Sequence, residues 1–333
     1  MALTTYGDIS PRTAAYAVAA MLKRALPYLV IEKFGQSFPI PNNSTKSAKF
    51  RRYEALPKAT VPLVEGVTPQ GKTLTYTDVT ANLNQYGDFV PLTDVIADTH
   101  EDPVFQQAQE VISEQAAQTV EAVRYGIIKA GTNVYYSGSG ITARNAVITA
   151  PTQGELRKVV RGLKRQNAGF ISKMTSSSPN YKTESVRPCF VGLTHVDTES
   201  DFRAISGFLD AKDYANQGAM VSEFEFGTSE GIRMVQSTVF ESFPDAGGTT
   251  SGKITTSGTK GDIYPTLIIA KDAYGLVPLK GKDSIAPIVL NPGKPSDSDP
   301  LGQRGYVGWK LMTTAVILNE LFMARLESCA TEL

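Results

Sequence analysis

The segment PVFQQAQEVISEQAAQTVEAVRYGIIKAG, from Pro103 to Gly131, has the strongest helical pattern in the sequence. Asp102 is placed to cap it, Pro103 suits a first helical turn, and Gly131 suits the end. The pattern predicts one amphipathic helix over about 103–131, roughly 40 Å long at 1.5 Å per residue, which serves as a structural spine. The apolar residues that recur at spacings near 3.6 are Val104, Phe105, Ala108, Val111, Ile112, Val120, Val123 and Ile127.

The region before this helix, from about Gln36 to Asp94, has a different sequence pattern. Prolines at positions 39, 41, 57, 62 and 69 interrupt a period-2 pattern, as in KFRRY at 49–53. Such alternation predicts long, extended, poorly buried β-structure. A stretch with so few apolar clusters cannot form a core of its own, so we expect it to lean on a neighbouring subunit.

The rest of the chain predicts a mixture of helices and strands. We expect helices over 11–26, 154–167 and 199–209, paired strands over 220–226 and 232–240, and a Gly/Thr/Ser-rich loop over 247–262. The chain closes with two apolar runs, 306–318 and 321–326, on either side of Asn319-Glu320. They predict a buried closing hairpin over about 306–328.

Composition limits the classes of function. The 333 residues carry a formal net charge of zero, with a pI near 6.8, which argues against a dedicated nucleic-acid binder. Two cysteines, Cys189 and Cys329, cannot build a disulfide framework or a zinc ribbon. The apolar tract 14–31 is interrupted by charges and a proline, so it predicts a helix docked on protein, with an interfacial helix as the alternative.

Residues 66–73, GVTPQGKT, match the written form of a phosphate-binding Walker A loop. That loop needs a buried strand before it and a helix after it. Here Pro62 interrupts the preceding segment, Pro69 removes an N–H donor, and the following LTYTDVT has strand chemistry. We therefore interpret the match as a turn and not as a nucleotide site.

The segment GTSEG at 227–231 matches the nucleophile elbow of α/β-hydrolases. The segment that follows it reads as a strand, whereas the elbow requires a helix. Both histidines, His100 and His195, precede Ser229, so the chain order of that catalytic triad cannot be completed. We predict a hairpin turn here, with no catalytic, cofactor or metal site.

A local basic patch, Lys46, Lys49, Arg51, Arg52 and Lys58, has Phe50 and Tyr53 between its members. A nucleic-acid contact is conceivable. Glu54 and Glu65 lie close in sequence, however, and the extended setting favours salt bridges to another protein chain. The candidate inter-subunit contacts are Arg51, Arg52, Tyr53, Glu54, Glu65 and Lys72.

With no catalytic constellation left, the sequence resembles the major capsid proteins of tailed bacteriophages, which have the Hong Kong ninety-seven fold. The resemblance is sharpest with the group from N-four-like podophages, and it extends over nearly the whole chain. The residues that carry it are FRRYEAL (50–56), PLVEGVTP (62–69), QYGDFV (85–90), LTD (92–94), HVD (195–197), DFR (201–203), EFG (225–227), EGIR (230–233), DPLGQRGYVGWK (299–310) and AVILNE (315–320).

The resemblance implies an α+β protein with four parts. These are an N-terminal arm (1–35), an extended β loop (36–85), a peripheral domain (86–135 and 263–333) that holds the spine helix and the closing hairpin, and an axial domain (136–262). The extended loop would reach over a neighbouring subunit.

The implied function is a structural one: hexamers and pentamers of an icosahedral virion shell that encloses double-stranded DNA and is assembled in the host cytoplasm. The implied partners are other copies of the chain, a portal, a decoration protein and, through weak contacts, the packaged DNA; no membrane is involved. Because no long charged helical segment precedes the arm, we expect a separate scaffolding protein or a processed form. The alternatives are an encapsulin-like compartment shell and a P-loop nucleotide hydrolase.

Overall fold

The computed structural model describes residues 29–95, 104–172, 187–214, 220–280, 286–293 and 299–333. The predicted helix over 11–26 and the predicted cap at Asp102 lie outside these residues. The helices are α1 (Val104–Ile128), α2 (Gln153–Arg165) and α3 (Glu199–Arg203). The strands are β1 (Gln36–Ser37), β2 (Ser47–Tyr53), β3 (Tyr76–Asn82), β4 (Asn84–Thr93), β5 (Val134–Tyr136), β6 (Phe190–Thr194), β7 (Leu209–Asp210), β8 (Glu225–Ser229), β9 (Ile232–Gln236), β10 (Ile263–Ile269), β11 (Tyr274–Pro278), β12 (Ala286–Leu290), β13 (Arg304–Ile317) and β14 (Met323–Cys329).

Helix α1 confirms the predicted spine, with 25 residues from Val104 to Ile128. Its apolar stripe packs on β13: Ile112, Ala116 and Val120 lie in one buried cluster with the β13 residues Val307, Trp309 and Leu311. Farther along, Tyr125 and Ile128 enter the core that lies between the two larger sheets. The helix therefore ties both sheets together, as its predicted length requires.

The strands form three sheets. A five-stranded sheet is built around the long strand β13, which pairs with β4, β11 and β12, and β1 pairs with β11. A seven-stranded sheet has the order β5-β14-β10-β6-β9-β8-β7. Strands β2 and β3 form a separate antiparallel hairpin. The α+β class is confirmed.

The seven-stranded sheet is buried on both faces because alternate residues of its strands enter two different clusters. On one face, Phe190 and Met234 pack with Leu156, Val159 and other α2 residues. On the other face, Val191 and Val235 pack with the C-terminal end of α1. Helices α1 and α2 thus lie on opposite sides of this sheet.

The predicted closing hairpin is wrong. Strands β13 and β14 do not pair with each other: β13 belongs to the five-stranded sheet and β14 pairs with β10 and β5. Two apolar runs so close in sequence resemble a hairpin, but the 3₁₀ turn at Glu320–Phe322 carries the chain from one sheet to the other. Because β10 and β14 share a sheet with β6, β8 and β9, the domain boundary expected after residue 262 falls inside that sheet.

Three smaller expectations need correction. The helix expected over 199–209 ends at Arg203, because the chain turns at Gly207 with φ +79° and then pairs β7 with β8. The strand expected from residue 220 begins at Glu225, whose side-chain Oε2 accepts a hydrogen bond from the Val221 N–H (2.7 Å). Its partner strand ends at Gln236 and not at residue 240.

Candidate functional site

The most exposed part of the molecule is the antiparallel pair β2–β3 together with the chain that joins the two strands. We call residues 47–82 the projecting hairpin and residues 54–75 its tip. The base of the hairpin is anchored, because Ala48, Ala81 and Leu83 pack against Val277 and Val316 of the five-stranded sheet. From Arg51 to Thr77, by contrast, every residue is exposed. The hairpin is thus fixed at one end and open to solvent along its length.

The strand part of the hairpin carries an exposed pair of opposite charges. Arg51 Nε and Nη2 donate to the two carboxylate oxygens of Asp78 at 2.8 and 2.9 Å. The Arg51 guanidinium also lies 4.1 Å from the centre of the Tyr76 ring. Arg51 lowers the pKa of Asp78, mainly through these hydrogen bonds. The pair lies where the register of β2 and β3 places Arg51 directly opposite Asp78.

The tip carries apolar side chains that nothing in the described chain covers. Val61 is 82% exposed and Leu63 is 77% exposed. Single exposed apolar residues are ordinary, but six of them in one loop favour an interaction surface. The members of this group, which we call the apolar tip, are Leu56, Val61, Leu63, Val64, Val67 and Leu74.

The six predicted contact residues fall into two groups. Three are used within the hairpin itself: Arg51 by Asp78, Glu54 by the hydroxyls of Thr75 and Thr77, and Lys72 by the carbonyl of Pro57. Arg52 and Glu65 are exposed and form no ion pair with the part of the chain that the structure describes. Tyr53 is exposed too, with its ring 6.3 Å from that of Tyr76. Arg52, Tyr53 and Glu65 thus remain available to a neighbour.

Neither of the two enzyme-like motifs has the required surroundings. Residues 66–73 lie in the exposed tip, and the next element is strand β3, whereas a Walker A loop needs a helix. At 227–231, strand β8 turns directly into β9 through Glu230 (φ +50°) and Gly231 (φ +84°). The second motif is the hairpin turn that the sequence predicts, and the first begins in a turn at Glu65-Gly66 and continues without regular structure.

A second exposed surface lies on the five-stranded sheet, on the face away from α1. Phe89 of β4 sits directly opposite Gly308 of β13, and its ring packs edge-on against Tyr306 at 6.2 Å. A Cβ at Gly308 would approach the Phe89 Cβ to 2.8 Å, so glycine makes room for the aromatic ring. We call this surface, with the partly exposed Ile288 at its side, the aromatic groove.

Sequence reasoning selected charged residues and missed the apolar tip and the aromatic groove. The signal for the tip is present in PLVEGV at 62–67, where three apolar residues lie in a region that cannot form a core. The groove has no local signal, because β4 and β13 are separated by some two hundred residues in sequence. Only their pairing brings Phe89 and Gly308 together.

The described residues contain neither a helix suited to a membrane nor a cluster suited to a metal ion. No described helix combines the length and apolar character that crossing a membrane requires. Within the same residues, no group of three or more histidine, cysteine, aspartate and glutamate side chains is arranged to hold a metal ion.

The known proteins that match this chain are phage capsid proteins. A family model described as phage capsid protein matches residues 76–263. Among solved structures, the capsid of Ralstonia phage GP4 matches with a TM-score of 0.64 at 10% identity, covering 90% of this chain and 87% of that chain. The head structure of Helicobacter pylori bacteriophage KHP40 matches with a TM-score of 0.58 at 13% identity, covering 89% and 86%.

A third solved structure, the capsid of Cyanophage P-SCSP1u, matches with a TM-score of 0.54 at 15% identity, covering 91% of this chain and 88% of that chain. At such identities these structures establish a shared fold. No curated protein matches the chain in sequence.

Proposed function

The chain belongs to the phage capsid protein family, and from that premise we propose that it builds a shell by docking its projecting hairpin on the aromatic groove of a neighbouring copy. It is a structural protein of the virion's capsid shell and not an enzyme. The observation that carries the docking proposal is the apolar tip, six apolar side chains held in solvent by an anchored hairpin.

The magnitude of the hydrophobic effect supports a role in association. Burying one Leu or Val side chain fully is worth about 1.5–3 kcal/mol. Six such residues supply on the order of 10 kcal/mol, which is comparable with the 4–15 kcal/mol that association is estimated to cost. A shell repeats this contact at many subunits, so each one can remain modest.

The aromatic groove suits the tip as its acceptor. Phe89 is 62% exposed, and the apolar tip is exposed as well, so neither covers the other within one chain. A hairpin of one copy in the groove of the next makes a head-to-tail contact. Such contacts close into rings or continue into larger assemblies.

Two variants test the docking proposal. Leu63→Asp with Val64→Asp disables the tip, and Phe89→Asp disables the groove. By sedimentation velocity we expect each variant alone to lose fast-sedimenting assemblies, because an apolar contact is replaced by a buried charge. Mixed one to one, they should form a heterodimer and nothing larger, since only one intact hairpin faces one intact groove.

Leu301→Asp is the matched control, because Leu301 is 78% exposed but lies outside both surfaces. It should assemble like the wild type. Shells formed by the tip variant alone would overturn the docking proposal, as would a mixture in which no heterodimer appears.

Finer features are proposed on family membership alone. We propose hexamers and pentamers as the building units, a scaffolding protein, a portal and a decoration protein as partners, weak contact with packaged DNA, and assembly in the host cytoplasm. We also propose the division into arm, extended loop, peripheral and axial parts, with the boundary between the last two moved so that β10 and β14 stay in one part with β6, β8 and β9, and N-four-like podophages as the nearest group. Closed shells of uniform size from this protein alone would count against a separate scaffolding protein.

A further inference from the structure

The formal net charge of the chain is zero, but its positive charges are not evenly spread. Residues 157–187 contain eight Lys or Arg and one Asp or Glu, a net charge of +7. The structure describes the larger part of helix α2, the residues that follow it as far as Ser172, and Arg187. Overall neutrality argues against tight binding of nucleic acid, but it does not prevent a local basic surface from contacting a polyanion.

Helix α2 separates its apolar and basic side chains onto opposite sides. Leu156, Val159 and Leu163 are buried where the helix packs on the seven-stranded sheet. The basic residues of the helix are all exposed, and Arg187 lies exposed beside them. We call this surface the basic face, and its members are Arg157, Lys158, Arg161, Lys164, Arg165 and Arg187.

Among the described residues, one carboxylate pairs with the basic face. Glu230 accepts a hydrogen bond from Arg157 Nη2 at 2.9 Å and another from Gln153 Nε2 at 2.7 Å. The hydrogen bond from Arg157 is the main cause that lowers the pKa of Glu230, and the charge of Arg187 adds to it. The other five members form no ion pair with the part of the chain that the structure describes. Six positive charges less one negative charge leave a net charge of +5 in contact with solvent.

The helix dipole accounts for only part of this charge. Cations in the last turn of a helix are stabilised by the partial negative charge there, which suits Lys164 and Arg165. Arg157, Lys158 and Arg161 lie outside that turn, and cations three or four residues apart on a helix repel one another. The folding of α2 alone does not favour such a row of cations, so an external anion is the natural source of counter-charge.

The basic face surrounds an open pocket of about 640 Å³. Three arginines of α2 line it, and Arg187 joins them from another part of the chain. Lys164 Nζ lies 6.0 Å from the centre of the Phe170 ring, which packs 4.8 Å from the ring of the buried Phe190. Guanidinium groups present several donors in a fixed plane, an arrangement that matches the oxygens of a phosphate group. The pocket is therefore suited to phosphate.

The spacing of the cations suits the backbone of a DNA duplex. Arg157, Arg161 and Arg165 are four residues apart, so they form a row about 12 Å long at 1.5 Å per residue. Duplex DNA carries one negative charge per about 1.7 Å of its axis, or about seven charges over that length. A duplex can thus give every free cation of the basic face a counter-charge, and no contact to a base is required.

We propose that the basic face on α2 binds the phosphate backbone of double-stranded DNA and faces the interior of the shell. This inference deepens the proposed contact with packaged DNA and rests on it. Each subunit binds weakly because its basic face is small, and repetition over the shell strengthens the contact. Contacts confined to phosphates carry no sequence preference, which suits a shell that must enclose DNA of any sequence.

Binding of the unassembled full-length subunit to a fluorescent duplex of about 30 base pairs tests this proposal. Anisotropy titrations at several salt concentrations give the slope of log K against log salt, which is about −0.9 for each phosphate contact. With five free cations engaged, the wild type should show a slope of about −4.5. Two duplexes of different base composition should bind with the same affinity.

Variant A removes three charges of the basic face, with Arg161→Gln, Arg165→Gln and Arg187→Gln. Its slope should be less negative by about 2.7, and its affinity at low salt should fall at least about tenfold. All three side chains are exposed and glutamine is a good helix former, so circular dichroism should show the helix content of the wild type.

Variant B is the matched control, with Arg52→Gln, Lys58→Gln and Lys72→Gln. It removes the same number of charges from exposed positions of the projecting hairpin. The net charge of the subunit therefore changes equally in both variants, while the basic face of variant B is intact. Variant B should bind the duplex with the slope and affinity of the wild type.

Three outcomes would overturn the proposal. One is a slope and affinity for variant A that equal those of the wild type. Another is a loss of binding in variant B and not in variant A, which would assign the DNA contact to the hairpin. The third is tighter binding of polyglutamate than of a duplex of equal charge, which would assign the basic face to an acidic protein.

The result does not depend on how subunits dock. The variant Leu63→Asp with Val64→Asp should bind the duplex like the wild type, since its basic face is unchanged. If the tip and groove variants assemble normally while variant A loses DNA, the docking proposal fails and this one stands. Wild-type subunits that do not bind the duplex at low salt would remove this proposal and leave docking intact.

Discussion

The projecting hairpin and the seven-stranded sheet distribute their side chains in opposite ways. The hairpin holds apolar residues such as Leu63 in solvent, whereas the sheet buries charged residues such as Glu327. Each arrangement costs free energy unless a partner is present. The buried charges have their partners inside the chain, and the exposed apolar residues have none there. A subunit that pairs its buried charges internally and leaves apolar side chains in solvent is suited to assembly.

Glu327 is the clearest example of internal satisfaction. Its side chain is fully buried on β14, and its carboxylate accepts two hydrogen bonds from Arg144, both at 2.7 Å. Arg325 Nε donates a third at 2.8 Å, and Arg325 also donates to the backbone carbonyl of Lys129 after α1. One carboxylate therefore joins the 3₁₀ turn at Arg144–Ala146, the sheet and the end of α1.

The largest expected effect comes from removing this charge. Glu327→Gln leaves two guanidinium groups beside a neutral side chain, and breaking a buried pair in this way costs about 3–5 kcal/mol. Urea unfolding of the unassembled subunit should show that loss. Glu332→Gln, an exposed glutamate five residues later, is the control and should leave unfolding unchanged. A Glu327 variant as stable as the wild type would contradict the comparison, because the buried charge would then contribute nothing to the fold.

A second buried carboxyl group, that of Glu121, extends the comparison because its pKa lies near neutral pH. Glu121 on α1 is fully buried, and its Oε1 accepts hydrogen bonds from the Val30 and Ile31 N–H groups at 3.0 and 2.8 Å. Burial raises its pKa to about 7; these hydrogen bonds and Arg124 act against that rise, and Glu32 adds to it. Glu121 fixes the chain before β1 to the spine helix.

We expect the folded subunit to lose stability through Glu121 as the pH rises. The unfolded side chain releases its proton near pH 4.5 and the folded one near pH 7. The Glu121 carboxyl therefore contributes about 3 kcal/mol to the free energy of unfolding. This contribution is complete below pH 4.5 and is lost as the pH rises through 7. Unfolding free energies of the wild type and Glu121→Gln should be compared at pH 4.5 and 8. The difference between the two proteins should change in that direction; no change would mean that folding does not raise the pKa of Glu121.

The sequence predicted those parts of the fold that local periodicity determines. Helix α1 and helix α2 have 3.6-residue patterns, and both lie where expected; the structure adds a capping box of Thr152 with Glu155 at the start of α2. The closing hairpin failed because strand partners are set by tertiary packing, and β13 and β14 each find a better one in a different sheet. The charged residues of the hairpin lie close together in the sequence, so they could be selected from it. The aromatic groove could not be, because it exists only through the pairing of β4 with β13.

The smallest effects should come from substituting the charged residues of the hairpin. These substitutions distinguish charges that pair within the hairpin from charges that are open to a neighbour. Arg51→Gln with Asp78→Asn removes an ion pair that is exposed to solvent, so the urea midpoint of the subunit should stay within experimental error. Arg52→Gln with Glu65→Gln should leave that midpoint unchanged as well, because both side chains are exposed.

The two pairs should differ in association, measured by light scattering at low salt. Losing Arg52 and Glu65 should slow it several-fold, because charges at the rim of an interface act mainly on encounter rates. Losing the Arg51–Asp78 pair should change it less, since those charges already neutralise each other within the hairpin. Equal effects from the two pairs would mean that the hairpin meets its neighbour without using the charges it leaves open. Its apolar tip would then carry the contact alone.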